Sequence, residues 1–178
     1  MKLSSKTKRM VLCGLCIALC YVLPIAFHAV GLGSTLSPMH IPVLLCGIVC
    51  GPVYGLACGV VGPVLSSLLA AMPPAIKLIR MVPELAVYGL MAGLLMRILP
   101  FKAFYGKVYA SLTVAMIAGR IAGGIASTLF YLGTTGSYSM SMFVGSYVAG
   151  NLPGVVVHLI LVPALVFALD KAKMSARA

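Results

Sequence analysis

The sequence predicts an all-α integral membrane protein, a bundle of six transmembrane helices with both termini in the cytoplasm. Three observations carry this. Hydrophobic residues make up 62% of the 178 residues and charged ones 8%, where soluble domains hold roughly 45–50% and roughly 25%. The apolar residues fall in long runs, and at about 20 residues per span six spans leave about 58 for ends and links. The chain, residues 1–178, is therefore read as one membrane domain. Finally, the cations flank the runs: Lys2, Lys6, Lys8 and Arg9 before the first, Arg97, Lys102 and Lys107 between the fourth and fifth, and Lys171, Lys173 and Arg177 after the last. An even number of spans puts all three clusters on one side, and short cytoplasmic segments of an inner membrane collect Lys and Arg.

The first span is expected at about 10–27, with Pro24 near its far end. Its apolar run, Val11 to Val30, exceeds the 7–15 residues of a signal-peptide core, and further spans follow, so cleavage is not expected. A polar, glycine-bearing link runs from His28 to His40. The next 34 residues, Met39 to Met72, would make a helix of about 51 Å, too long for a core of about 30 Å. Gly51-Pro52 is the natural break, giving a short second span at 40–50 and a third at 53–71. After a link containing Pro73, Pro74, Lys77 and Arg80, the fourth span is expected at 83–98, the fifth at 108–131 and the sixth at 142–169. Between the last two lies the polar, uncharged segment GTTGSYSMS.

A net charge of +11 in a soluble chain would suggest nucleic acid, but no basic stripe with interleaved aromatics exists here. The six cysteines all lie in apolar runs and read as small hydrophobes; Cys13-x-x-Cys16 has no His or carboxylate beside it for a metal. No phosphate-cradling G-x-x-x-x-G-K-[ST] occurs, so the chain cannot by itself drive transport with ATP. Glu84 and Asp170 are the only acidic residues; with no carboxylate pair, no H-E-x-x-H and no G-x-S-x-G, neither a catalytic residue nor a metal site is expected, and no cofactor.

Small residues four apart recur: Gly14 and Ala18; Gly47, Gly51, Gly55 and Gly59; Gly89 and Gly93; Gly119 and Gly123; Gly150 and Gly154. Such stripes let helices approach closely in lipid. Most are read as internal packing, while Gly14 and Ala18 serve equally well as a face for another membrane subunit.

Ionisable residues inside spans carry a functional reading by default, since a central charge costs roughly 2.5–3.5 kcal/mol to insert. Glu84 and Arg120 are two such residues, and they either line a solute pocket or pair with each other. Tyr88, four residues after Glu84, shares its helix face. Asn151 and His158, two turns apart, share a face of the sixth span. His28 and His40 bracket the first outer link, placed to gate a pocket or to cap helix ends. Lys77 and Arg80 would attract an anionic solute or snorkel.

Two segments, SPMHIPVLLCGIVCGP (Ser37 to Pro52) and PELAVYGLMAGLL (Pro83 to Leu95), with the size, six spans and basic N-terminus, resemble substrate-binding (S) components of energy-coupling factor (ECF-type) vitamin importers, and the segments look like those of S components related to the pantothenate type. The resemblance implies a high-affinity vitamin-capture subunit of a bacterial cell membrane. It also implies a transmembrane coupling (T) component and two cytoplasmic ATPases as partners. Gly14 and Ala18 match the small positions of the family's A-x-x-x-A docking motif, with glycine replacing the first alanine. The positions matching the family's pocket are Glu84, Tyr88, Arg120 and Asn151, with His40 and Tyr138 as lids; His158 is added by its face shared with Asn151. A pantothenate carboxylate would suit Arg120, and its hydroxyl and amide groups Asn151 or Glu84. The alternatives are another vitamin or precursor, such as a pyridoxine-like one, and a stand-alone channel or ion-coupled carrier.

Overall fold

Six helices and no strand occur among the residues described by the computed structural model, 5–29, 31, 37–100, 103–134 and 152–171. They are α1 (Ser5–Ala29), α2 (His40–Cys50), α3 (Pro52–Ala70), α4 (Ala75–Ile98), α5 (Phe104–Thr134) and α6 (Leu152–Lys171). Five are long and apolar enough to cross a bilayer. The exception is α2, whose 11 residues rise only about 16 Å. The short second span expected at 40–50 is therefore α2, a half-length helix with those same bounds. Gly51, at φ +103°, turns the chain where Pro52 has no N–H to continue the ladder. All eleven residues of α2 are buried, and it packs against each of the other five helices, as expected of a helix apolar on every side.

α4 begins eight residues before the expected start at Pro83, so Lys77 and Arg80 lie on its first turns rather than in a link. Pro74 supplies the true N-cap: its carbonyl accepts from Lys77 N and Leu78 N. Pro83 removes one hydrogen bond inside α4, a loss that packed membrane helices accommodate. α5 likewise extends beyond 108–131 at both ends. The part of the sixth span expected at 142–151 lies outside the described residues.

Small residues determine how closely α4 packs on its neighbours. A Cβ on Gly55 would strike the backbone of Gly89, and one on Gly89 that of Gly55, so α3 and α4 touch backbone to backbone. On the other side of the core, Cys13, Cys16 and Cys20 of α1 are buried with Cys46, Cys50 and Cys58, all as free thiols. Cys13 and Cys46 both donate to the Tyr54 carbonyl, at 3.6 and 3.4 Å.

These contacts sort the bundle into two ends. The first turns of α1, the Gly51 break, the α4–α5 link and the last turns of α6 share one end, as the Cys13–Tyr54 contact and the edge-to-face Phe104 and Phe167 rings show. Lys6, Lys8, Arg9, Arg97, Lys107 and Lys171 lie there, making it the basic end. The links 37–39 and 71–74 close the opposite end.

Candidate functional site

At the end opposite the basic one, α1, α4 and the two links enclose a cavity of about 200 Å³. Its wall includes His28, Ser37, Met39, Pro73, Lys77 and Met81. The α3–α4 link is fixed from below: Ala71 turns through a left-handed conformation at φ +53°, and the Ser66 and Ser67 hydroxyls donate to the carbonyls of Met72 and Pro73 at 2.7 and 2.8 Å. These serines therefore hold the cavity's rim. His28 caps its own helix, Nδ1 lying 2.8 Å from the Pro24 carbonyl.

Lys77, Met81, Glu84 and Tyr88 are spaced by four, three and four residues, which places them in one stripe down α4. Lys77 and Met81 line the cavity, and Glu84 and Tyr88 lie buried one and two turns deeper. Tyr88 donates from its hydroxyl to Glu84 Oε1 at 2.9 Å, and His40 Nε2 stands 3.6 Å from the same oxygen. His40 opens α2 directly after the cavity residue Met39. Its Nδ1 lies 3.0 Å from the Ser37 carbonyl. The His40 ring lies 5.1 Å from that of Tyr88 and stacks at 5.4 Å on that of His158 from α6.

Two glycines of α5 complete the cluster. A Cβ on Gly119 would clash with the edge of the Tyr88 ring, and one on Gly123 would stand 3.0 Å from Glu84 Oε2. The pair Gly119 and Gly123, read from sequence as a packing stripe, is thus the seat of the Glu84 and Tyr88 side chains. Sequence reasoning missed this role, although the spacing of four that both pairs share was the available signal.

Four of the seven expected site residues, Glu84, Tyr88, His40 and His158, therefore meet in one buried cluster. Arg120 does not join it: the side chain is half-buried at the edge of the inward face of α5, and forms no ion pair among the described residues. The expected alternative of a Glu84–Arg120 bridge is not formed; Glu84 has His40 and Tyr88 instead. Asn151 and Tyr138 lie outside the described residues. Arg80 sits over the ring of Tyr131, 5.4 Å from its centroid, a cation–π contact joining α4 to α5. Gly14 and Ala18 are exposed, and a Cβ on Gly14 would meet nothing within 4 Å. They lie on an outward face of α1 with Met10, Val11, Leu15 and Val22.

A half-length, wholly buried helix among five long enough to span, with a polar cluster beneath a cavity at one end, is the architecture of a multi-pass membrane protein with a candidate solute site. A family model for the substrate-specific component of ECF transporters matches residues 8–172, and the chain belongs to that family. It is accordingly a transporter component that recognises a substrate, not an enzyme; such components work with a T component and ATPases. No curated protein and no solved structure matches the chain.

Proposed function

We propose that the chain captures a water-soluble vitamin, pantothenate, at the outer face of a bacterial cytoplasmic membrane and delivers it to a T component and two cytoplasmic ATPases. The basic end is then cytoplasmic, as the distribution of Lys and Arg favours, and the cavity opens outward. One observation carries the reading: the Lys77–Met81–Glu84–Tyr88 stripe runs from the cavity wall to the buried cluster. A cation at the top and a carboxylate, phenol and two imidazoles below suit a flexible solute with one carboxylate and several hydroxyl and amide groups.

In this reading Lys77 receives the carboxylate, the part given to Arg120 on sequence grounds. Glu84, Tyr88, His40 and His158 bind the hydroxyl and amide end. A neutral vitamin or precursor would make no use of Lys77. Docking to the T component falls to the Gly14 and Ala18 face of α1, whose exposure and lack of bulk favour close helix contact.

The test is equilibrium binding of labelled pantothenate to the purified chain in detergent, without ATPases, competed by a panel of unlabelled vitamins. Displacement by pantothenate alone is expected. Displacement by a different panel member would replace the vitamin, and absence of binding by any of them in a folded, monodisperse sample would overturn the capture reading.

A further inference from the structure

A second cavity, of about 190 Å³, opens at the basic end, far from the polar cluster. Cys50 and Gly51 from the α2–α3 break, Met96 and Arg97 from α4, and Phe104 and Lys107 from α5 are among its walls. The Arg97 guanidinium is aimed across it at the break: its Nη2 would stand 2.9 Å from a Cβ on Gly51. Neither Arg97 nor Lys107 has a carboxylate partner among the described residues. Nor does the composition offer many, because Glu84 and Asp170 are the only acidic residues in the chain and Glu84 lies buried with Tyr88 in the polar cluster away from this cavity.

α3 and α5 start at this cavity while α2 and α4 end there, so their dipole ends offset one another and the positive potential comes from the Arg97 and Lys107 side chains. Around the rim, Val53, Ile98 and Tyr105 are exposed at 70%, 64% and 63%, and the Tyr105 ring packs 4.3 Å from that of Phe167. Tyrosine flanked by exposed aliphatics is the composition of the membrane–water interface. That composition suits a cavity at the level of lipid phosphates, with acyl chains running along the apolar rim.

We propose that this cavity binds the phosphate diester of an anionic phospholipid from the leaflet at the basic end, with Arg97 and Lys107 contacting the phosphate oxygens. The site is independent of the solute captured at the other end. It fixes the Gly51 break and the α4–α5 link to one lipid, and with them the orientation of the bundle's basic end.

The proposal is tested by native mass spectrometry of the full chain released from phosphatidylcholine nanodiscs containing a minor fraction of phosphatidylglycerol. One phosphatidylglycerol is expected to be retained at least tenfold above its share of the bilayer, and Arg97→Gln with Lys107→Gln is expected to abolish that enrichment. Lys6→Gln with Lys8→Gln, which removes equal charge from the same end, should preserve it. Equal enrichment in the Arg97 and Lys107 variants, or equal loss in the Lys6 and Lys8 pair, would overturn the site. Should the double variant fail to fold, Lys107→Gln alone gives the same reading through partial loss. Inorganic phosphate added without anionic lipid separates the sources: a thermal shift of the wild type by phosphate, with no phosphatidylglycerol retained, would overturn the lipid assignment.

Discussion

The hydroxyl of Tyr88 donates to Oε1 of Glu84 one turn above it on α4, at 2.9 Å and with both side chains buried. The bond joins residues that share a helix face, yet it is held from outside that helix, by His40 on one side and by the glycines of α5 on the other. Breaking it should therefore affect the site before the fold. Tyr88→Phe keeps the ring and removes one hydrogen bond, a net loss of about 0.5–1.5 kcal/mol. Binding of the captured solute should weaken roughly three- to tenfold, with a small drop in melting temperature; unchanged affinity would remove Tyr88 from the site.

Gly119 leaves room for the Tyr88 ring, so Gly119→Ala should displace it. Overpacking of this kind costs typically 1–3 kcal/mol, and solute binding should fall tenfold or more. Gly106→Ala, at a glycine with nothing within 4 Å, is the matched control and should leave binding intact. Titration of both variants with labelled solute checks the difference.

Lys77→Ala should lower affinity for a carboxylate-bearing solute at least tenfold while sparing a neutral analogue in which the carboxylate is replaced by an alcohol. Arg120→Ala should have the smaller effect, because Arg120 lines no described part of the cavity. A larger loss in Arg120→Ala would return the carboxylate to Arg120.

Gly14→Leu and Ala18→Leu add bulk to an exposed face of α1 without meeting the bundle. Both variants should bind solute normally and fail to co-purify with the T component. Full assembly in both would place the docking face elsewhere on the chain.

Much of the fold follows from local chemistry. Gly51-Pro52 divided the long apolar stretch between α2 and α3 where the backbone does divide, since a proline without an N–H after a glycine at positive φ ends a helix in any setting. Pro83 misled for the opposite reason: nothing local shows that packing against α3 and α5 will hold a proline inside α4. Glu84 and Tyr88 were legible as a pair from their spacing, as were the small faces of α3, α4 and α5.

Sequence by itself determined that this chain lives in a membrane, where its helices break, and which polar residues needed an interior partner, because hydropathy, proline and buried charge act within a few residues of themselves. Tertiary structure alone decided which partner each one found. Glu84 met His40, 44 positions away, rather than Arg120, because α2 is short and wholly buried and brings its first residue to the level of Glu84. That height is set by backbone contacts among α2, α3 and α4, a long-range property that no spacing along one helix encodes.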